Sequence, residues 1–267
     1  MRFVKSLVCA VGLGAVLPAA MAAPVQVLLS ENFQSVSGIS TAATVRTVGS
    51  IPASELSGSP SVAFSNTGNG NASANAFNVR RGDNAIDGGS GEPTLGNNTF
   101  DNFFGPAANQ FLVVGDDSGN LGGSPNGGTN ATASSTMSIS FALAPITLVS
   151  PDVLRIGFDY VFDANNAANP DDFLVELLLA DTSAMTLLSW TAPSASTRGS
   201  FLSTIQYASL SAAPQSLRFT LIEGSGNGSS AVGLDNLLVQ AVPEPGMLAL
   251  VGAALLGAGF AGRRRRG

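Results

Sequence analysis

Residues 154–162 read LRIGFDYVF. Leu154, Ile156, Phe158, Tyr160 and Phe162 alternate with Arg155, Gly157, Asp159 and Val161. A period of two places the first five side chains on one face of an extended strand, whereas a helix would scatter them around its circumference. The stretch therefore predicts a strand with one buried face. The same pattern recurs on both sides of it. Residues 136–143 align Met137, Ile139, Phe141 and Leu143; residues 173–180 align Phe173, Val175, Leu177 and Leu179; residues 216–222 align Leu217, Phe219 and Leu221. Shorter or less regular alternation marks residues 25–29, 44–48, 111–114, 186–190, 204–207 and 231–239. About ten strands without a convincing helix predict an all-β fold, an antiparallel β-sandwich of two packed sheets. Residues 65–75, 83–98 and 115–132 are rich in Gly, Asn and Ser and read as loops. No internal repeat is visible. Residues 23–242 read as one domain, with a division near Ser134 as the alternative.

The two ends follow a different logic. Arg2 and Lys5 precede the apolar run 7–17, and Ala20, Met21 and Ala22 follow it. This is the layout of a secretory signal, so residues 1–22 read as a signal helix cut by signal peptidase between Ala22 and Ala23. The single cysteine, Cys9, lies within it, and the chain has no histidine. The mature chain thus has no disulfide, no His-based zinc site, no Ser-His-Asp triad and no Cys-His pair. Residues 23–242 carry six arginines, no lysine and 17 acidic side chains, a net charge of −11. Such a surface is repelled by nucleic acid and anionic lipid and is suited to cations.

At the other end, Pro243, Glu244 and Pro245 form a rigid non-helical start, since proline fixes φ and lacks a donor. Residues 247–261 are uncharged and apolar, and Arg263, Arg264, Arg265 and Arg266 close the chain. The arginines are expected on the cytoplasmic side of a membrane-spanning helix. Fifteen helical residues rise about 22 Å, short of a hydrocarbon core of about 30 Å, a deficit that arginine snorkelling and local thinning can cover. These three ordered features resemble the PEP-CTERM sorting signal. That resemblance implies recognition and processing by an exosortase, transient anchoring in the inner membrane, and display at the cell surface or release in an exopolysaccharide or biofilm setting. It covers only residues 243–267 and implies nothing about the activity of residues 23–242.

The middle of the chain resembles the jelly-roll sandwiches of surface proteins and carbohydrate-binding modules. The residues that carry the resemblance are Glu31-Asn32-Phe33, Asp171-Asp172-Phe173 and Gly233-Leu234-Asp235-Asn236-Leu237. Several other constellations have bland readings. Asp159, Asp163, Asp171 and Asp172 flank one connection and read as turn formers rather than a catalytic pair. Asp116-Asp117 lacks the spacing of a calcium loop. Arg81-Gly82-Asp83 and the four N-x-S/T triplets at Asn71, Asn97, Asn130 and Asn227 read as composition. Trp190 and Tyr207 read as packing rather than as sugar platforms.

One pair of carboxylates stands out by phase. Val25, Val27, Leu29 and Phe33 occupy odd positions, which turns Glu31 inward with them. In residues 231–239, Val232 and Leu234 are even but Leu237 and Val239 are odd, so the phase slips near Asp235 and Asn236, as at a β-bulge. The slip leaves Asp235 on or near the inward face as well. Two inward carboxylates in a domain poor in positive charge suggest a structural calcium ion, with Glu31, Asp235 and Asn236 as ligands. In carbohydrate-binding jelly rolls such an ion often joins the first and last strands, so the resemblance implies the same site. The expected function is a non-enzymatic surface or matrix protein associated with exopolysaccharide. The alternatives are a lectin-like carbohydrate-binding module with structural calcium, or a hydrolase working through carboxylates alone.

Overall fold

A computed structural model describes residues 24–39, 46–67, 77–81, 104, 109–115, 135–148, 151–163, 172–191, 197–223 and 231–243. The expected signal helix, its cleavage position at Ala22 and Ala23, and the tail beyond Pro243 lie outside them. Among the described residues, no helix is long and apolar enough to cross a membrane.

Among the described residues there are twelve strands: β1 Gln26–Glu31, β2 Arg46–Thr47, β3 Val62–Thr67, β4 Phe77–Arg81, β5 Gln110–Val114, β6 Ser135–Ala142, β7 Pro151–Asp163, β8 Asp172–Leu179, β9 Ala184–Trp190, β10 Thr197–Gln206, β11 Pro214–Glu223 and β12 Ala231–Pro243. They form two antiparallel sheets. The larger runs β10-β7-β12-β5-β4-β2, with β1 also paired to β12; the smaller runs β3-β6-β11-β8-β9. The only helical elements among the described residues are three 3-10 turns, at Val48–Ser50, Ala53–Glu55 and Tyr207–Ser209. Strands from both sides of Ser134 interleave in both sheets, since β12 lies between β5 and β7, and β3 pairs with β6.

The alternating rows face each other across the sandwich. Phe158 of β7 meets Phe219 of β11 edge to face, with ring centroids 5.1 Å apart, and Phe162 stacks on Phe173 of β8 at 6.1 Å. Phe33 and Phe219 each meet Phe141 of β6 edge to face. Offset and edge-on contacts suit the ring quadrupoles, and each buried ring contributes roughly 2 kcal/mol or more by its area alone. These aromatics tie the two sheets together.

Two strands were not expected from sequence. Residues Val62–Thr67 place only Val62 and Phe64 as sizeable apolar side chains on their inward side, so the alternation is faint. Residues Phe77–Arg81 put Phe77 and Val79 in the core while Asn78 and Arg80 are also fully buried, so polar residues stand where alternation demands exposure. Expected strands also change length. Of residues 44–48, Arg46–Thr47 are strand and Val48 opens a 3-10 turn. Residues 204–206 are the end of the ten-residue β10, whose inward positions Thr197, Gly199 and Ser203 gave no apolar signal, and Tyr207 opens the next 3-10 turn.

Candidate functional site

The site forms where three strands meet on β12. On one edge β12 pairs along its length with β7. On the other edge it pairs first with β5, through Val232, Gly233 and Leu234, and then with β1, through Leu237 to Ala241. Between these partners the register with β7 slips. Asp235 opposes Asp159 and Leu238 opposes Gly157, so β12 carries one extra residue there. That is the bulge expected from the sequence phase. Asn236 occupies it with φ of 52°, a left-handed conformation that asparagine tolerates better than most residues.

Glu31 and Asp235 are both buried, each 2 % exposed. The route to Glu31 differs from the expected one. Val25 and Val27 are 45 % and 48 % exposed, Leu28 and Leu29 are both buried, and the β1–β12 register shifts between Val27 and Leu29. A second bulge in β1 thus resets the phase, and only from Leu29 onward do odd positions face the core. Asp235 also departs from expectation. Opposite Asp159, it lies in the row of Gly233 and Val161 rather than that of Val232 and Leu234, so by the pleat it is on the far side of the strand from the core row. It is buried there beside Asn109.

Each carboxylate has its own set of neutral donors. Glu31 accepts the backbone N–H of Phe33 at 2.7 Å and that of Gly58 at 3.0 Å. Phe33 turns into the left-handed region, φ 59°, to present that donor. Gly58 lies so close that a Cβ on it would sit 2.0 Å from the Ser30 carbonyl oxygen, and its own carbonyl accepts the Ser30 N–H at 3.0 Å. Only glycine permits this approach. Asp235 accepts the Asn236 backbone N–H at 2.7 Å and the Asn109 amide at 2.9 Å. The same Asn109 nitrogen donates to the Phe104 carbonyl at 2.7 Å. Asn236 donates its side-chain amide to Asp159 at 2.8 Å, and the Ser200 hydroxyl donates to the other Asp159 oxygen.

Burial raises the carboxyl of Glu31 above its ordinary range, against the opposing pull of its three backbone donors. Burial likewise pushes Asp235 up to about 6; Asn109 and Asn236 work against this, and the negative charges of Asp159 and Glu31 add to it. No cationic side chain hydrogen-bonds Glu31 or Asp235 among the described residues. A hard divalent cation takes six to eight oxygen ligands. The side-chain oxygens of Glu31, Asp235 and Asn236 are of the right chemistry, but N–H donors already hold the carboxylates. Among the described residues, no group of three acidic side chains is gathered for a metal. The donors fit a cation in charge and burial and fall short in number.

Gly58, Asn109, Asp159 and Ser200 were missed as parts of this site. Gly58 stands 27 residues from Glu31 and Asn109 stands 126 from Asp235, so no local pattern links them. The other sequence candidates are dispersed. Asp159 lies on β7 and Asp172 on β8, in different sheets; Asp171 and the Asp163 side chain lie outside the described residues, as do Asp116, Asp117, Gly82, Asp83 and the four Asn triplets. Trp190 packs into the core edge beside Tyr160, Phe162 and Phe173, with centroids 4.9, 5.8 and 5.6 Å away. Tyr207 lines an open groove of about 840 Å³ with Leu143, Pro145, Ile146, Pro151 and Pro214, and no charged side chain lines it.

Residues 241–266 match the PEP-CTERM protein-sorting motif, which implies export and processing by an exosortase. No curated protein matches the chain significantly. Among solved structures, the chain is similar to the Stig cyclase Fisc from Fischerella sp. TAU, at 14% identity over 82% of this chain and 99% of that one, TM-score 0.42. It is also similar to the CBM22-1 xylan-binding domain of Xyn10C from Paenibacillus barcinonensis, at 15% identity over 83% and 98%, TM-score 0.32. A third is the enzymatically active domain of tailspike protein 4 from bacteriophage CBA120, at 9% identity, TM-score 0.32, with 67% of this chain covering 19% of that one. At these scores, none assigns a ligand or a reaction to this chain.

Proposed function

We propose that this chain is a non-enzymatic protein of the bacterial surface or extracellular matrix, exported through signal peptidase, processed by an exosortase and retained among exopolysaccharide. The observation that carries the proposal is the sorting motif at residues 241–266, which begins within the last three residues of the final strand of a β-sandwich. The net negative charge and the lack of histidine support a display role over catalysis. So does the uncharged groove beside Tyr207, which offers no acid or base to a bound glycan. The test is fractionation of the native host. The wild-type chain should reach the surface fraction, and a Pro243→Ala, Pro245→Ala double variant should stay in the inner membrane. Equal distribution of the two would refute the sorting role.

A second reading, a carbohydrate-binding sandwich with a structural calcium ion, is favoured by one observation. The negative charges of Asp159 and Glu31 each act on buried Asp235, and among the described residues no cationic side chain hydrogen-bonds Asp235 or Glu31. When bound, the ion would supply positive charge to Glu31 and Asp235, with Asn236 contributing an oxygen; its role would be to join β1 to β12 and not to take part in a reaction.

A further inference from the structure

We infer that this chain pairs with a second copy of itself through strand β10, edge to edge and antiparallel about a twofold axis at Leu202. The pairing is independent of the sorting role. Strand β10 ends the larger sheet, with β7 on one side and no further strand on the other among the described residues. An edge strand carries a row of N–H and C=O groups that no ladder uses, and proteins blunt such edges with short strands, bulges, proline or charge. The other edges show such protection. Strand β2 has two residues and β3 has six. Strand β9 carries a bulge, since Val175 opposes Leu188 but Glu176 opposes Thr186. On β1 the Leu28 carbonyl accepts the Ala144 N–H, and the Ser30 N–H donates to the Gly58 carbonyl. Strand β10 has none of these devices. It pairs with β7 through ten consecutive residues without a shift, and it holds no proline, lysine or acidic residue. Arg198, near one end, is its only charged residue.

The side chains of this flank also call for a cover. Leu202 is 77 % exposed, the most of any large hydrophobic residue among those described. It lies across the bare backbone of Gly157, its partner on β7. Phe201 and Ile205 of β10, and Leu187 and Trp190 of β9, are only partly buried against the core. Tyr160 joins the two strands at this margin, since its ring lies over Gly199 of β10 and 4.9 Å from that of Trp190. Neither β9 nor β10 carries an acidic side chain, although residues 23–242 hold 17. A second acidic copy is therefore repelled least on this flank.

Strand β10 fits itself. In a sheet continued across a twofold axis, residues of one face oppose residues of the same face, so paired positions sum to an even number. Arg198, Ser200, Leu202, Thr204 and Gln206 form the exposed row. Centring the pair on Leu202 sets that residue against its own copy, Ser200 against Thr204 and Arg198 against Gln206. The leucines cover each other, the hydroxyls are matched and no like charges meet. On the inward face, Phe201 meets Ser203 and Ile205 meets Gly199. Centring on Phe201 instead would set Leu202 against Ser200 and leave it uncovered.

Disulfide trapping tests the pairing, because Cys9 is the only cysteine in the chain. Full-length chains carrying Cys9→Ser with Arg198→Cys, Leu202→Cys or Gln206→Cys are made in the native host, and detergent extracts are mildly oxidised. A disulfide needs Cα atoms about 4.4–6.8 Å apart, and directly opposed antiparallel residues stand about 4.5–5.5 Å apart. Residue 202 meets its own copy at that distance, whereas residues 198 and 206 each lie about 27 Å along the strand from theirs. The Leu202→Cys chain should shift to twice the monomer mass on a non-reducing gel, and the other two single variants should not. Arg198→Cys and Gln206→Cys combined in one chain should restore the dimer with Leu202 in place. Monomers from both the Leu202→Cys chain and the combined chain would overturn the inference, as would equal dimer from all three single variants. Leu202→Lys, at an exposed position that the fold does not need, should lower the mass found by light scattering from that of a dimer to that of a monomer. A mass unchanged from the wild type would also overturn the inference.

Discussion

The two halves of β12 have the same sequence character but different neighbours. In the first half, Val232 and Leu234 stand between β7 and β5. In the second, Leu237, Val239 and Ala241 stand between β7 and β1. All five side chains are buried to within 1 %. The halves differ in what holds the flanking strand. Strand β5 is extended on its far side by β4 and β2, whereas β1 has no further strand beyond it among the described residues and is tied down by the Gly58 turn. The bulge at Asp235 and Asn236 is the joint between them, and the buried carboxylates gather there because a strand that changes partner cannot complete both ladders. Glu31 and its donors close the gap on the β1 side; Asp235, Asn109 and Asn236 close it on the β5 side.

The strongest break of this comparison is Gly58→Ala. The new methyl would overlap the Ser30 carbonyl, and the backbone on both sides would have to move. A loss on the order of 5 kcal/mol is expected, from overpacking and from leaving Glu31 without one donor. Thermal melting and hydrogen exchange should show β1 released before β5. Exchange protection unchanged in β1 would mean that the Gly58 turn does not hold the second half.

The next test weighs the halves directly. Leu234→Ala and Leu237→Ala each remove a fully buried side chain and should each cost about 3–4 kcal/mol. If β12 works as one strand, both variants lower the global transition equally in denaturant melts. If the halves are separable, Leu237→Ala instead exposes β1 to exchange at little cost to β5.

The smallest expected effect sharpens the joint itself. Asp235 has a folded pKa of about 6, against 3.8 for a freely solvated aspartate. The folded state therefore holds its proton to higher pH than the unfolded state does. The stability that Asp235 contributes is therefore fully present below about pH 4, is lost as pH rises toward 6 and stays lost above it, by about 2–3 kcal/mol at most. In chelator, Asp235→Asn should flatten that slope in a series of melts from pH 4 to 7. Bound calcium would reverse it, because a ligating carboxylate must be ionised. At 100 times its dissociation constant, calcium should add about 2.7 kcal/mol at neutral pH. A melting temperature indifferent to calcium and to chelator would remove the cation and leave hydrogen bonds as the sole support of the two carboxylates.

Much of the sandwich was legible because its inward rows are built from large apolar residues at period two. Ten of the twelve strands overlap stretches that the spacing marks as extended, although the two residues of β2, Arg46 and Thr47, carry no apolar side chain. The bulge was legible for the same reason, since one extra residue moves the apolar parity from Leu234 to Leu237. Strand β4 was not legible, because Asn78 and Arg80 are buried on the side that alternation assigns to solvent. Val25 and Val27 misled in the opposite sense. They are apolar, in phase and exposed, because β1 slips at Leu28 before it reaches Glu31.

By itself, the sequence determined the strand faces, the phase slip at Asp235 and the order of features in the tail. Each is written in the spacing of neighbouring residues, where backbone geometry fixes which side chains share a surface. Tertiary structure alone decided that β12 lies inside the larger sheet, that Gly58 reaches Glu31 and that Asn109 reaches Asp235. It also decided that the sorting motif begins on a residue already locked between two strands. Those relations join segments far apart along the chain. They are set by which faces pack together once the strands exist, a choice among long-range pairings that local spacing does not encode.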